Sequence, residues 1–287
     1  MGNIIDGKLV ASAVKTRVAE SVQELKQHNQ DVCLAVIMVG DNPASQVYVK
    51  NKKKTCEELG IISKQFVLPE NFGQESLIEL IEGLNADWTV NGILCQLPLP
   101  KGYDEKAVLS TISPEKDVDA FHPINVGRIV SGDYTFLPCT PAGIMEMLAY
   151  YDIDITGKEC VVVGRSNIVG KPMSLLLLNS DGTVTIAHSK TANLAEVCRR
   201  ADVLIAAVGK PNFITADMVK EGAIVIDVGI NRIDGKLRGD VDFERVKDKA
   251  SWITPVPGGV GPMTIAMLMQ NTLTATHLQN NFISQAI

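Results

Sequence analysis

Aromatic residues are scarce in this 287-residue chain, at 5%. The apolar share is still 46%, so a buried core must be built from Val, Ile, Leu and Ala, which suits parallel sheets covered on both faces. Together with only 21% charged residues, that share excludes a fully disordered chain. No apolar run approaches the ~18 residues that would suggest a membrane span. The opening Met1-Gly2-Asn3-Ile4-Ile5-Asp6 lacks a basic segment followed by an apolar one, so no secretory signal is visible. Asp6 also stands where a myristoylation motif wants Ser or Thr. Basic residues form no long run, the tightest cluster being Lys50 to Lys54, and the net charge is −6. Nonspecific nucleic-acid binding needs a broad basic surface, so no nucleic-acid partner is expected. None of the six cysteines forms a CxxC pair, which argues against a metal centre or a disulfide framework. Most sit in apolar contexts, as small buried hydrophobes of a protein in the reducing cytoplasm.

What is present is an alternation. At roughly 150 residues per domain, the length suits about two domains. Val10, Val14, Val18, Val22 and Leu25 repeat at helical spacing over 8–27, and Cys33 to Val39 is a continuous apolar run ended by Gly40. Asp41 to Ser45 reads as a turn and helix start, with Ser45 as the cap and a helix running to Leu59 before Gly60. A strand over 61–68, a helix over 75–84 and a strand over 92–97 come next. This is the grammar of a parallel sheet with crossover helices. Residues 98–140 are richer in Pro and Gly and read as holding one short helix near 104–111. After a helix over 141–151 the pattern restarts: strand 160–163, helix 171–179, strand 183–187, helix 193–200, strands 203–208 and 223–228, and a final helix from 262 to about 279. The fold class expected is α/β, with two domains around a cleft, the second Rossmann-like with a mainly parallel sheet. The boundaries expected are 1–140 and 141–261, with a C-terminal helix over about 262–287 packing back on the first domain.

The second half carries a glycine-bearing loop between strand and helix, Gly164-Arg165-Ser166-Asn167-Ile168-Val169-Gly170-Lys171. Backbone N–H groups at such a helix start can hold a pyrophosphate, or the loop can be merely a tight turn. Units that bind NAD place an acidic residue on the ribose hydroxyls about 20 positions onward. Here the next strand ends at His188-Ser189-Lys190-Thr191, without a carboxylate. Arg165 and Ser189, with Lys190 as a further candidate, could instead receive a 2′-phosphate, which favours NADP. Gly209-Lys210-Pro211 and Asp227-Val228-Gly229-Ile230-Asn231 also follow apolar strands. Each reads either as a ligand-facing loop or as an ordinary turn.

In the first half, Tyr48 and Lys52 are four apart on one helix face. An ammonium beside a phenol in an apolar cleft can have its proton affinity lowered, which suits acid–base work near neutral pH. Lys50, Lys53 and Lys54 read as solvated. Gln96 ends an otherwise apolar strand before Leu97-Pro98-Leu99-Pro100, and its partners are structural or catalytic. Asp117 and Asp119 lie among turn formers, where a structural Asx-turn is the simpler reading.

Together these segments resemble the bifunctional methylenetetrahydrofolate dehydrogenase/cyclohydrolase family. The resemblance covers nearly the whole chain and rests on six segments in order: Ser45 through Lys52, Gln96 through Pro100, Pro114 through Asp119, Pro138 through Pro141, Gly164-Arg165-Ser166 with Val169 through Pro172, and Pro255 through Thr264. It implies oxidation of 5,10-methylenetetrahydrofolate by hydride transfer to NADP, then hydrolysis of the methenyl cation to 10-formyltetrahydrofolate. It further implies that Lys52 is the general acid/base of hydrolysis, tuned by Gln96, that Tyr48 stacks on or hydrogen-bonds the folate, and that Asp119 binds the pterin edge. Leu97 and Pro98 join the substrate site, and Pro257, Gly258 and Gly259 belong to a loop closing over it. Thr140, Gly164, Arg165, Ser166, Ser189 and Ile230 line the NADP site, with Arg165 and Ser189 on the 2′-phosphate. Tetrahydrofolate one-carbon derivatives are the implied partners, a homodimer the implied assembly, and no metal is required. One departure stands out: relatives commonly carry Gly after the pterin-binding aspartate, where this chain has Ala120. The shikimate dehydrogenases, which pair similar domains, are the competing resemblance. The Tyr48/Lys52 helix and Gln96-Leu97-Pro98 favour folate.

Overall fold

The computed structural model describes residues 2–285, and side chains through residue 280. Contacts divide it into two units, one of Met1–Ser12 with Pro138–Met267 and one of Ala13–Leu137 with Leu268–Ile287. The expected C-terminal residues 286–287 lie outside the described residues.

The second of these is built on three parallel strands, β2 (Cys33–Val39), β3 (Ile62–Leu68) and β4 (Gly92–Cys95), in the order β3-β2-β4. Every residue of β2 and β4 is buried, which explains their unbroken apolar runs. Helix α1 (Gly7–Gln27) leads into β2, helices α2 (Pro43–Leu59) and α3 (Gln74–Ala86) supply the crossovers, and α4 (Glu105–Thr111) follows β4. A core of Ala35, Ile37, Leu77, Ile81, Ile93 and Val108 fills one face of the sheet. Segment 98–140 contains a second helix beyond the one expected, α5 (Pro123–Ser131). It is short and starts on proline, a residue favoured at the first helical position and easily taken for a loop marker.

The cap of α2 differs from expectation. Asn42, not Ser45, accepts from the Ala44 and Ser45 amides at 2.9 and 3.2 Å, while Ser45 is already inside the helix and buried. Pro43 at the first helical position has no N–H to satisfy, so the cap falls one residue before it. Asn42→Ala should therefore cost about 1 kcal/mol and lower the melting temperature by about 2–4 °C. A thermal melt unchanged by the substitution would contradict this cap.

The other unit contains a six-stranded parallel sheet in the order β1-β11-β8-β7-β5-β6. Its strands are β1 (Asn3–Ile4), β5 (Glu159–Val163), β6 (Thr183–Ala187), β7 (Val203–Ala206), β8 (Ile224–Asp227) and β11 (Trp252–Ile253). Helices α6 (Cys139–Tyr150), α7 (Gly170–Asn179), α8 (Leu194–Arg199) and α9 (Phe243–Val246) accompany them. A two-stranded antiparallel hairpin, β9 (Asn231–Ile233) with β10 (Lys236–Arg238), stands apart from the sheet. The first twelve residues group with this sheet, rather than with residues 13–137, because β1 pairs with β11. Strand order reverses around β5, with β6 on one side and β7 on the other.

The last helix, α10 (Val260–Gln285), is longer than the pattern suggested. Within the three-stranded unit, Asn271 Nδ2 donates to the carbonyls of Val118 (2.8 Å) and Leu137 (2.9 Å), and Gln279 Nε2 donates to the Asn91 carbonyl at 2.9 Å. All six cysteines are free and buried. No described helix is long and apolar enough to cross a membrane.

Candidate active site

In the three-stranded unit, α2 and the end of β4 bring two of the expected residues together. Lys52 is 7% exposed, so a charge there is largely out of water, whereas Lys50, Lys53 and Lys54 face solvent. Its Nζ donates to Gln96 Oε1 at 2.9 Å. Gln96 is held on both sides: its backbone N–H donates to the Ile37 carbonyl at 2.8 Å, and its Nε2 donates to the Leu97 carbonyl at 2.7 Å. With the amide nitrogen occupied there, the amide oxygen is left facing the lysine. This amide is the polar residue that ended an apolar strand, and its partner is the amine four residues beyond Tyr48. Tyr48 is half-buried, and burial pushes its phenol up from the usual range. Leu97 is half-buried and Pro98 exposed, joined by a cis peptide bond, and the Leu99 N–H donates to Glu105 Oε1 at 2.9 Å.

The two carboxylates of the 114–119 segment have separate work. Asp117 is 1% exposed and accepts from the His122 amide and Asn125 Nδ2, both at 2.8 Å, so it anchors the entry to α5. Burial pushes its carboxyl up. Asp119 remains half-buried, and its charge, second to burial, helps push the Cys95 thiol up to about 12. The parallel bridge between Ile93 and Asp117 runs the segment bearing Asp119 alongside β4, whose last residue, Cys95, precedes Gln96. Ala120 is fully buried in a left-handed conformation with φ 57° and donates its N–H to the Asp117 carbonyl at 3.1 Å. The turn that glycine would adopt freely is thus kept by alanine, at a backbone cost of about 1–2 kcal/mol.

In the six-stranded unit, the loop after β5 turns at Gly164, whose φ is 142° and where a side chain would overlap the Ala207 carbonyl oxygen. The loops leaving β5 and β7 therefore touch at the point of strand reversal, where open α/β sheets hold their ligands. Ser166 Oγ accepts from the Val169 and Gly170 amides, both at 3.2 Å, and so shapes the start of α7. Arg165, Ser166, Ser189 and Ile230 are exposed. Thr140 Oγ1 lies 2.9 Å from Thr264 Oγ1. Pro257 is exposed, Gly258 and Gly259 are buried, and all three belong to this unit by contacts, not to the one bearing Lys52.

Two aspartates in this unit are buried: Asp227, which the sequence places only within a loop after an apolar strand, and Asp240, which no motif singles out. Asp227 ends β8 and accepts from the amides of Gly229 (3.0 Å), Asp240 (2.8 Å) and Val241 (2.9 Å). Burial, reinforced by the Asp240 charge, outweighs those bonds and raises its pKa from 3.8 to about 7. The folded chain therefore keeps a proton between pH ~4 and ~7 that the unfolded chain has released, and by linkage the contribution to stability falls as pH rises through that window. The urea midpoint should accordingly be higher at pH 5 than at pH 8. A midpoint rising over that interval would contradict the burial of this carboxyl.

Comparison with known proteins gives the family. Residues 5–119 match the model of the tetrahydrofolate dehydrogenase/cyclohydrolase catalytic domain, and residues 138–280 that of the same family's NAD(P)-binding domain. A bifunctional protein FolD from Acetivibrio thermocellus is 59% identical over 277 residues, covering 96% of this chain and 97% of the relative. One from Agathobacter rectalis is 60% identical over 276 residues, covering 96% and 99%. Among solved structures, FolD from Campylobacter jejuni superposes with a TM-score of 0.96 at 52% identity, covering 97% of this chain and 99% of that one. The Trypanosoma brucei enzyme, complexed with NADP and an inhibitor, gives 0.92 at 38% identity, covering 96% and 98%. A shikimate dehydrogenase from Thermus thermophilus, at 0.53 and 16% identity over 86% of this chain and 99% of its own, shares the fold alone.

Proposed function

The chain belongs to the tetrahydrofolate dehydrogenase/cyclohydrolase family, and we propose on that footing that Lys52 is the general acid/base of its hydrolytic half-reaction. The enzyme is a bifunctional methylenetetrahydrofolate dehydrogenase and methenyltetrahydrofolate cyclohydrolase, with NADP as the cofactor. The observation carrying the proposal is the 2.9 Å hydrogen bond from a buried lysine to an amide that is itself fixed on both sides. The methenyl carbon is already cationic, so attack by water needs proton management more than electrophilic activation. Lys52 would take one proton from the attacking water and return it to the departing ring nitrogen as the C–N bond breaks, the second water proton going to solvent as the formyl C=O forms, while Gln96 Oε1 holds the amine on line. Asp119 would bind the donor groups of the pterin edge, and half-buried Tyr48, with Leu97 and Pro98, would cover the folate ring.

The residues around Gly164 suit a dinucleotide. The turn at Gly164 leads into the exposed loop 165–168 ahead of α7, which would receive the pyrophosphate while Ser166 Oγ holds the Val169 and Gly170 amides, and exposed Arg165 and Ser189 offer a cation and a hydroxyl to a 2′-phosphate. Thr140, Ser166 and Ile230, with Pro257, Gly258 and Gly259, would complete the lining on this unit. The bound cofactor supplies the hydride acceptor for the first half-reaction.

A homodimer fits the edge of the smaller sheet. β3 is an edge strand of seven residues without proline, with Ile62 and Val67 exposed, and such an edge invites pairing with a second copy. A cytoplasmic location is in keeping with six cysteines that remain thiols.

The test is a two-phase assay. With methylenetetrahydrofolate and NADP, the methenyl absorbance should rise with NADPH and then decay as the formyl product appears. NADP reduction with shikimate but not with methylenetetrahydrofolate would overturn the reading.

A further inference from the structure

The second buried aspartate, Asp240, is fully inaccessible, yet its carboxylate touches two loops of the six-stranded unit. Oδ2 accepts from the amides of Val208 (2.6 Å) and Gly209 (2.8 Å), which follow β7. Oδ1 accepts from Nδ2 of Asn231 at 2.9 Å, just past the loop that leaves β8. Its own amide donates to Asp227 Oδ1, and its carbonyl accepts from the Ile214 amide at 2.9 Å. A side chain at Gly229 would overlap Asp240 Oδ1, so that glycine serves the aspartate rather than a ligand. Burying a carboxylate carries a desolvation cost, which these hydrogen bonds offset. What these bonds fix is one edge of the ligand crevice. In a doubly wound sheet the dinucleotide lies across the strand reversal. Here β5 and β6 carry the candidate adenosine-phosphate contacts, Arg165 and Ser189, while β7 and β8 end on the opposite side.

We propose that Asp240 is a positioning residue for the dehydrogenase half-reaction: it locks together the loops after β7 and β8 and thereby shapes the nicotinamide side of the cofactor site. This rests on the reading of the six-stranded unit as the NADP site. Asp240 does not touch the cofactor. It acts through the Val208–Gly209 backbone and through Asn231, which sits beside Ile230.

The test compares binding of two probes by calorimetry, NADPH and adenosine 2′,5′-bisphosphate, the second lacking the nicotinamide half. Asp240→Ala should weaken NADPH by about tenfold or more, as expected for hydrogen bonds to a charged group, and leave adenosine 2′,5′-bisphosphate within about twofold. Asp240→Asn should recover most of the loss, because its amide oxygen can still accept from Val208 and Gly209 while Asn231 flips to accept from its nitrogen. Retained binding of adenosine 2′,5′-bisphosphate reports that the six-stranded unit of each variant is folded, and methenyltetrahydrofolate hydrolysis reports the same for the other unit. Should Asp240→Ala fail to fold, Asn231→Ala removes one of the three bonds and should weaken NADPH by about threefold or more, again sparing the adenosine probe. Equal weakening of both probes, or of neither, would overturn the inference. Failure of the wild-type protein to bind NADPH would overturn the cofactor reading itself, and the inference with it.

Discussion

Lys52→Met should slow methenyltetrahydrofolate hydrolysis by about 10²–10⁴-fold, the usual contribution of a positioned general acid/base, while folate still binds. Methionine keeps most of the stem length and apolar volume of lysine, so α2 and the packing around Val49, Thr55 and Cys56 are undisturbed. What disappears is the amine 2.9 Å from Gln96 Oε1, and with it the group assigned to carry the proton. Two readouts separate chemistry from binding. The decay of methenyl absorbance reports hydrolysis, and the KM for methylenetetrahydrofolate in the dehydrogenase direction reports whether the folate pocket survives. A fall in hydrolysis with that KM nearly unchanged is the expected pattern. Hydrolysis at an undiminished rate would remove Lys52 from the mechanism, and a large rise in KM with no change in hydrolysis would make it a binding residue only.

The pairing of Lys52 with Gln96 illustrates how far a sequence can be read. Tyr48 and Lys52 share a helix face by spacing alone, but nothing local connects them to an amide 44 positions later. That connection depends on register: Ile37 pairs with Cys95, so the Ile37 carbonyl receives the Gln96 amide and the side chain is delivered to α2. The alternation of strand and helix was legible because each buried strand carries an apolar run and each crossover helix a 3.6-residue period. Elements without a period were not. β1 and β11 are two residues each, and β9 and β10 are polar and three residues each. The Asp234-Gly235 pair between those last two was the available signal for a hairpin. A hairpin there brings the chain back toward the end of β8, so that Asp240, just past β10, closes onto Asp227. In the same way, Asp117 and Asp119 look equivalent in sequence. The positions of His122 and Asn125, five and eight residues beyond Asp117, tell which carboxylate is spent on structure.

Arg165→Ala should weaken NADP by about 10–100-fold and NAD by much less, because a charge-assisted hydrogen bond to phosphate is worth about 1.5–3 kcal/mol and NAD offers no 2′-phosphate to receive it. The case is one of register as well as composition. Strands β5 and β6 run parallel, with Val163 opposite Ala187 and the Gly164 amide donating to the Ala187 carbonyl at 2.9 Å. Arg165 and Ser189 each lie two residues beyond that pair, at the carboxyl ends of adjacent strands, and both are exposed. A carboxylate at the end of β6 would bind ribose hydroxyls and repel a phosphate. The residues there are His188, Ser189, Lys190 and Thr191, and the His188 and Lys190 amides are engaged by Thr191 Oγ1 at 2.8 Å and His188 Nδ1 at 3.2 Å. Those bonds curl the segment into a compact turn in which Ser189 and Lys190 are exposed, and these two, together with Arg165, are the groups proposed for the 2′-phosphate. The measurement is kcat/KM for each coenzyme in the wild type and in the variant, repeated at two salt concentrations. The wild-type preference for NADP should narrow in the variant, and the salt sensitivity of NADP use should narrow with it as one cation is lost. An equal loss for both coenzymes would place Arg165 on the pyrophosphate, which they share, and would shift the 2′-phosphate contact to Ser189 and Lys190.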